Sequence, residues 1–352
     1  MLRPLKHPPP DDPTAREVRA FVRVRDEVAR MPHFLAHYRA LGVNRFVVAD
    51  NGSTDGTTAL LAAEPDVHLF AADGSYREAR GGQDWLDWLL NQYGAGHWCL
   101  VLDADELLFY PEIEATPLRA LCDALEREEV EALACMLLDM YGARPLGEVD
   151  YTAGQSFLAS CPWFDAAPYW RTESDSCPYH EVYGGVRQRV FYPRWQRPDL
   201  TLSLTERLYN LGHRLPPIRR NARIQSWRAK RPPNLAKVPL VRWRRGLRYL
   251  ASTHKISPVR LSAGSGLLLH FKFLGDFRPK AAREAQRREY FDGASEYRRY
   301  ASVLEAAPNL SLWYPASMRL EDSRQLCALG LMTAPPRLPS PMPIRGERPV
   351  HA

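Results

Sequence analysis

Acidic residues follow four apolar stretches of the chain, at the points where strands would end. They are Asp26 and Glu27 after 18–24, Asp50 after 46–49, Asp73 after 67–71, and Asp103, Asp105 and Glu106 after 98–102. In an open parallel sheet, ligands bind at the edge where the carboxyl ends of the strands meet. Carboxylates gathered at one edge repel one another unless a cation shares the site. The pattern therefore predicts a cation-dependent ligand site.

The motif Asp103-Ala104-Asp105 is the most informative part of this pattern. Its two acids are separated by one residue on a turning backbone, so both carboxylates can reach one metal ion. Mg²⁺ and Mn²⁺ bind carboxylates together with substrate phosphates and water. We predict that Asp103 and Asp105 bind such an ion, which would stabilise a nucleoside diphosphate as a leaving group.

A second motif, the turn Asp50–Gly56 with sequence DNGSTDG, leads from a predicted strand into a predicted helix. It has neither the glycine spacing of the dinucleotide-binding fingerprint nor a Walker lysine, which excludes a P-loop. Asp50 could accept hydrogen bonds from a ribose or a base. The alternative is a turn in which Ser53 to Asp55 simply cap the helix.

Apolar periodicity predicts the elements that must position these residues. The strands are 18–24, 46–49, 67–71, 98–102 and 133–138, and the helices are 32–41, 57–63, 85–93 and 117–127. Their short connections favour an α/β fold with a mostly parallel sheet flanked by helices. After residue 140 the pattern becomes irregular, with strands expected at 186–191 and 266–273 and a helix at 278–300.

Composition limits the location and the partners of the chain. The 352 residues contain no apolar run long enough for a transmembrane helix, and the N-terminus lacks the apolar region of a secretory signal. Six cysteines without metal-ligand spacing favour a reducing compartment. We predict a cytoplasmic protein.

The segment 207–275 contains no Asp or Glu, although the net charge of the whole chain is only +6. After Pro239 we predict a helix with arginines on one face and apolar residues on the other. The arginines are Arg242, Arg244, Arg245 and Arg248, and the apolar residues are Leu240, Trp243 and Leu247. Such a helix would contact anionic lipid at the inner membrane face. Alternatively, Lys255 or Lys272 binds the diphosphate.

These motifs together resemble the family 2 glycosyltransferases with a GT-A fold. The resemblance rests on Arg25-Asp26-Glu27, the Asp50–Gly56 turn and the segment 101–106, and it covers 18–140 well. A bacterial subgroup is matched further along the chain, to about residue 300. The matching pieces are Leu138-Asp139-Met140-Tyr141, Cys161 to Asp165, Gly184-Gly185-Val186-Arg187, Lys237 to Leu240, and Leu268 to Lys272.

The resemblance implies roles for individual residues. Arg25, Glu27 and Asp50 would line the nucleoside pocket, and Asp103 and Asp105 would bind the metal and the diphosphate. In many GT-A enzymes a C-terminal histidine completes the metal shell. His270 is our prediction for that ligand, with His254 as the alternative.

An inverting transferase, as the resemblance implies, also needs a carboxylate that deprotonates the acceptor hydroxyl. We predict Asp165 or Glu173, which lie in an aromatic-rich segment where an acceptor could stack on Trp163, Tyr169 or Trp170. Asp139 and Glu181 are alternatives.

The predicted organisation has four parts: a flexible N-terminus (1–16), a nucleotide-sugar-binding half (17–140), an acceptor-binding and helical part (141–330) and a disordered proline-rich tail (331–352). The predicted activity is metal-dependent transfer of a sugar from a UDP-, GDP- or dTDP-sugar to a glycan or lipid-linked acceptor, in the synthesis of a surface polysaccharide or glycolipid. One rival is a sugar-nucleotide nucleotidyltransferase, which usually has a glycine-rich loop after the first strand. The other is a basic nucleic-acid-binding module, for which no recognition motif is present.

Overall fold

A computed structural model of the protein describes residues 1–10, 12, 16–195, 231–250 and 252–338. The strands in this part of the chain are β1 (Leu2–Pro4), β2 (Val18–Val24), β3 (Arg45–Asp50), β4 (Val67–Ala72), β5 (Trp98–Leu102), β6 (Glu106–Phe109), β7 (Ala132–Tyr141), β8 (Trp163–Asp165), β9 (Tyr169–Glu173), β10 (His180–Gly184), β11 (Ala236–Arg242), β12 (Leu261–His270) and β13 (Ser317–Arg319). The helices are α1 (Met31–Leu41), α2 (Thr57–Ala63), α3 (Gln83–Tyr93), α4 (Leu118–Arg127), α5 (Phe157–Ser160), α6 (Phe277–Arg287), α7 (Phe291–Ala306) and α8 (Ser323–Ala328), with a π-helical turn at Arg187–Phe191.

One large mixed sheet organises the fold, with strand order β1-β4-β3-β2-β5-β11-β7-β12-β6. β4, β3, β2 and β5 are parallel to one another, and so are β7 and β12. Antiparallel pairing joins β11 to both β5 and β7, and β6 to β12. The predicted α/β class is confirmed, and helices flank the sheet.

The central strands are mostly apolar because both faces of the sheet are covered. Alternate residues of β2 point to opposite sides: Val18, Ala20 and Val22 pack in a cluster with α1 and α4, whereas Phe21 packs with α3. In α1 the sequence also predicted the ends correctly. Pro32 occupies the first turn, and Gly42 ends the helix with a φ of 96°.

The predicted basic helix after Pro239 is wrong, because residues 236–242 form β11 in the middle of the sheet. Backbone pairing with β5 and β7 on either side outweighs the helical spacing of the apolar residues. Leu240, Trp243 and Leu247 are nevertheless buried, as their pattern indicated.

Three other predictions for the second half of the chain need correction. Residues 187–191 form a helical turn rather than a strand. The helix predicted at 278–300 is divided into α6 and α7, with Arg288 in the left-handed region at a φ of 54°. Strand β12 begins earlier than predicted and ends at His270.

The two ends of the described chain are more ordered than predicted. Leu2–Pro4 were expected to be flexible but pair with β4 as an antiparallel edge strand. Leu331 and Met332 were expected in a disordered tail but are buried, and Thr333 pairs with Ser265. The rest of the predicted tail, from residue 339, lies outside the described residues.

The sheet also joins sequence segments that we expected to be separate. β11 and β12 come from the predicted acceptor-binding part, yet they lie between strands of the first 140 residues. Within the described residues, no helix is long and apolar enough to cross a membrane.

Candidate active site

A row of charged residues crosses the sheet at the carboxyl end of β5. Val22 is the register partner of Leu102, so the next residues along, Arg23 and Asp103, lie side by side. On the other side of β5, the antiparallel register that pairs Leu240 with Leu100 brings Lys237 opposite Asp103. Arg23 Nη2 lies 3.1 Å from Asp103 Oδ1, and Lys237 Nζ lies 2.9 Å from Oδ2.

Lys237 is a buried cation shared by two acids. Its side chain is only 2% exposed, and Nζ contacts both Asp103 and Glu106. Burial disfavours the charged amine, but the two carboxylates outweigh that cost and raise the pKa of Lys237. Burial also opposes ionisation of Asp103, yet Lys237 and Arg23 hold the pKa of this carboxyl well below its usual range. Asp103 therefore stays ionised by pairing with protein cations.

A second row contains the histidine. In β12, His270 is the register partner of Asp139 in β7 on one side and of Glu106 in β6 on the other. Only residues 103–105 connect β5 to β6, although three strands separate the two in the sheet. The sheet must therefore curl at this end, which brings the two rows together: the Asp103 amide donates to Glu106 Oε2 over 3.1 Å.

Asp105 faces His270 across the junction of the two rows. His270 Nε2 lies 3.5 Å from Asp105 Oδ2, and His270 Nδ1 lies 2.6 Å from Asp139 Oδ1. Burial would lower the pKa of His270, but Asp105 and Asp139 raise it instead. One donor atom each from Asp105, Glu106 and His270 lie within 4.8 Å of one another, close enough to share a metal ion.

The three residues predicted to bind the metal thus lie in two different groups of contacts. Asp105 and His270 are neighbours, as predicted, but Asp103 faces Arg23 and Lys237. Glu106, which belonged to the predicted group of acids but was not assigned as a metal ligand, joins the possible donors. Binding of a metal by Asp103, Asp105 and His270 stays a prediction.

The loop after β2 and the turn after β3 are bonded to each other. Asp26 Oδ1 accepts from the Thr54 amide over 2.7 Å, and Asp55 Oδ2 accepts from the Val28 amide over 3.0 Å. Asp50 is buried, and its oxygens accept from Ser53 and Thr58. Asp50 therefore stabilises the conformation of the turn. Nucleoside binding by this residue stays a prediction.

A polar cavity of about 290 Å³ lies at this edge of the sheet. Its lining comes from the ends of β2, β3 and β4 and from the end of α6: Arg25, Asn51, Gly74, Ser75, Tyr76, Arg287 and Glu289. Of the three residues expected to bind the nucleoside, only Arg25 belongs to this lining. Its Nη1 donates to the Asn51 carbonyl over 2.9 Å.

Glu27, the third of these residues, is held by one lysine of α6 and by the nearby Arg30. Lys280 Nζ of α6 lies 2.6 Å from Glu27 Oε1, and Arg30 Nη1 lies 3.2 Å from Oε2. Arg30 also forms a two-pronged ion pair with Asp276, just before α6. Ion pairs thus attach α6 to the first half of the fold beside Asp105.

Neither residue predicted as the catalytic base joins the Asp105–His270 cluster. Asp165 is 1% exposed, and Arg189 donates to both of its oxygens, at 2.8 and 3.0 Å. Glu173 is exposed in the separate two-stranded sheet of β9 and β10. Of the alternatives, Asp139 contacts His270, whereas Glu181 pairs with Lys255 over 2.7 Å. The identity of the base stays a prediction.

The other residues considered as metal ligand, diphosphate ligand or acceptor contact also have partners in the structure. His254 Nδ1 is 2.9 Å from the Ala236 carbonyl oxygen, and burial together with nearby Lys237 lowers the pKa of His254 to about 3. Lys272 lies 3.4 Å from Glu296 and above the ring of Tyr297. Trp163 and Trp170, where an acceptor was expected to stack, are partly buried against Trp313 and Trp195, respectively.

The cations of the site were not predicted from the sequence. The clustered acids need partner cations, and the fold supplies Arg23 and Lys237 for Asp103 and Lys280 for Glu27. Arg187 pairs in the same way with Asp139 of β7. Arg23 was visible as one of two arginines, with Arg19, in an otherwise apolar strand. Lys237 carried a similar signal, because it stands in an apolar stretch that turned out to be β11.

No protein-family model matches the chain, and no curated protein matches it. Solved structures align with part of it. A 4-diphosphocytidyl-2C-methyl-D-erythritol synthase has 19% identity and a TM-score of 0.25, with 39% of this chain and 68% of that chain covered. A structure described as a glucose-1-phosphate thymidylyltransferase from Bacillus anthracis, in complex with a sucrose, has 9% identity and a TM-score of 0.26, with 40% and 65% covered. A UTP-bound UGPase from Acinetobacter baumannii has 10% identity and a TM-score of 0.25, with 48% and 67% covered. Similarity of this extent assigns no activity to the chain.

Proposed function

We propose that the protein is a metal-dependent glycosyltransferase that moves a sugar from a nucleotide-sugar donor to an acceptor hydroxyl. One observation carries the proposal: Asp105, Glu106 and His270 converge at the carboxyl end of β5, beside the cations that hold Asp103. The carboxyl ends of parallel strands are the usual ligand edge of such a sheet. The 290 Å³ cavity lined by Arg25 lies along the same edge and offers room for part of the nucleotide.

The carboxylate oxygens suit Mn²⁺ or Mg²⁺, and the imidazole nitrogen favours Mn²⁺ of the two. Asp105 would supply a carboxylate oxygen and His270 its Nε2, because Nδ1 is bonded to Asp139. Glu106 is adjacent, although Lys237 and the Asp103 amide already use its two oxygens. Such an ion would neutralise the departing diphosphate. Hard divalent ions in phosphate sites bind one or two carboxylates and leave the other positions to substrate oxygens and water.

The neighbouring side chains have roles that need no ion. Arg23 and Lys237 hold Asp103 ionised and fixed against the end of β5. Lys280 pairs with Glu27, and its positive charge also helps to lower the pKa of Asp105, so its amine would favour a negatively charged substrate group bound beside Asp105. Positive side chains in such positions favour charge that develops on a leaving group.

The proposal is tested by donor hydrolysis. The protein is incubated with UDP-, GDP- and dTDP-sugars and Mn²⁺, and release of nucleoside diphosphate is measured with and without EDTA. We expect slow release from one nucleotide class, faster release with a suitable acceptor, and none with EDTA. Pyrophosphate release from a nucleoside triphosphate and a sugar phosphate would instead show nucleotidyl transfer. Absence of both reactions and of donor binding would refute the proposal.

The proposal for the acceptor and the catalytic base rests on the sequence. A glycan or lipid-linked acceptor, inversion at the anomeric carbon, and Asp165 or Glu173 as base all stay predictions. A base must lie within hydrogen-bonding reach of the acceptor hydroxyl. Asp165 would have to be released from Arg189 before it could act, since the two are paired in the interior.

Contact with an anionic membrane also stays a prediction. Ion pairs made by residues 242–245 limit which of the arginines there can contact lipid. Arg242 pairs with Glu126 and Arg244 with Glu131, whereas Arg245 is exposed. Charge reversal of Arg244 and Arg245 to Glu should weaken sedimentation with phosphatidylserine vesicles, while donor hydrolysis stays unchanged. Neutral phosphatidylcholine vesicles are the control. Equal sedimentation of the variant and the wild-type protein would exclude this segment as a membrane contact.

A further inference from the structure

Two motifs of the chain, 138–141 and 184–187, meet beside the candidate site, and the proposed function so far uses only the contact of Asp139 with His270. Asp139 from the first and Arg187 from the second are buried, with side chains 3% and 4% exposed, respectively. Buried charges are costly unless they are paired and hydrogen-bonded. Arg187 Nε donates to Asp139 Oδ2 over 2.7 Å. The two charges are therefore paired, although Arg187 Nη2 is buried without a hydrogen-bond partner among the described residues. The position of this pair beside the candidate site calls for an explanation.

A contact of the second oxygen of Asp139 explains the position of this ion pair. Asp139 Oδ1 lies 2.6 Å from His270 Nδ1, so Arg187, Asp139 and His270 form a continuous chain of contacts. With Nδ1 engaged, the other ring nitrogen faces Asp105 at 3.5 Å. In metal sites a carboxylate commonly bonds the free ring nitrogen of a ligating histidine, and this bond fixes the tautomer and the orientation of the ring.

The backbone just before Arg187 has an unusual conformation, and it leads into the contact of Arg187 with Asp139. Gly184 and Gly185 have φ values of 140° and 63°, which other residues rarely adopt. A Cβ atom on Gly184 would lie 2.2 Å from the Pro168 carbonyl oxygen, so β10 approaches this backbone too closely for any side chain. The π-helical turn that follows begins at Arg187 and directs its side chain to the end of β7.

We propose that Asp139 and Arg187 are positioning residues that orient His270 for a divalent cation shared with Asp105. Arg187 fixes the Asp139 carboxylate, and Asp139 fixes the imidazole with Nε2 towards Asp105. The inference rests on the proposed function, because it assumes that Asp105 and His270 hold a metal.

Metal affinity tests the inference without any assay of activity. Mn²⁺ alone is titrated into the protein, and the free ion is followed by electron paramagnetic resonance. We expect Asp139→Asn to weaken Mn²⁺ binding by about 10- to 100-fold, the range for such supporting contacts. Asp66→Asn, which removes the same charge from a surface pair with Arg39, is the matched control and should leave the affinity unchanged.

A double-mutant cycle separates positioning from general damage. In a His270→Ala background Asp139→Asn should have no further effect, because the residue that it positions is gone. If Asp139→Asn alone prevents folding, the Asp139→Asn/Arg187→Met variant replaces it, since no buried charge is then left unpaired. Thermal unfolding shows which variants are folded.

The outcomes distinguish the inference from the proposed function. If wild-type protein binds Mn²⁺ and folded Asp139→Asn binds it equally well, the positioning role is refuted and the proposed function stands. The positioning role is also refuted if Asp139→Asn weakens binding as much in the His270→Ala background as in the wild type. If the wild-type protein binds no Mn²⁺, the metal-dependent function itself fails.

Discussion

Replacement of Asp105 by Ala should lower release of nucleoside diphosphate from the donor by on the order of 10²- to 10³-fold, the effect of removing one preorganised electrostatic group from a reacting centre. Asp105 is one of the three clustered donor residues and lies 3.5 Å from His270 Nε2. Its burial opposes ionisation, but His270, Lys280 and Arg30 hold the pKa of the carboxyl well below its usual value. Asp105 is therefore charged at neutral pH, as a metal ligand must be.

The control for this variant is Asp66→Ala. Asp66 also pairs with an arginine, Arg39, but at the surface near the start of β4. Both variants are compared with wild-type protein over a series of Mn²⁺ concentrations. Asp105→Ala should show low turnover that additional Mn²⁺ does not restore, whereas Asp66→Ala should match the wild-type protein. Full activity of Asp105→Ala at saturating Mn²⁺ would remove Asp105 from the proposed site.

Replacement of Lys237 by Met should destabilise the fold by about 3–5 kcal/mol, the usual cost of removing one partner from a buried ion pair. Lys237 contacts both Asp103 and Glu106, and Glu106 is 1% exposed. Asp103 would keep Arg23 as a partner, whereas Glu106 would lose its cation. The free energy of unfolding, measured by urea denaturation at pH 7.5, checks the prediction.

The loss of stability should depend on pH in a defined direction. Burial already raises the pKa of Glu106, and removal of Lys237 would raise it further. A carboxyl group with a raised pKa in the folded state favours folding when protonated, so the penalty is full above the folded pKa and disappears below the unfolded one. The difference between the variant and the wild-type protein should therefore shrink as the pH falls from 7.5 towards 4.5.

A second substitution serves as the control for this explanation. Glu106→Gln in the Lys237→Met background removes the unpaired charge and should recover part of the lost stability at pH 7.5. It should also abolish most of the pH dependence. A loss of stability that is constant over this pH range would attribute the effect of Lys237→Met to packing rather than to the charge of Glu106.

The sequence by itself determined the first half of the fold, because its signals are local. Apolar runs of strand length, the Pro32 and Gly42 signals at the ends of α1 and the turn 50–56 before α2 each depend on neighbouring residues. These signals predicted the succession of strands and helices from β2 to β7, except for β6 (Glu106–Phe109), which was not assigned. They also placed the acids at strand ends, and the parallel-sheet rule then predicted a common edge.

Tertiary structure alone decided which partners those acids have. Lys237 meets Asp103 because β11 pairs with β5 in antiparallel register, and His270 meets Asp139 and Glu106 because β12 lies between β7 and β6. Such pairing joins residues more than 130 positions apart, as in the contact of Lys237 with Asp103. No local pattern specifies it: the residues around Pro239 fit a helix in isolation and became a strand because two neighbouring strands bond to them. The sequence therefore indicated where the acids gather, while the sheet register determined that protein cations share the site with any metal.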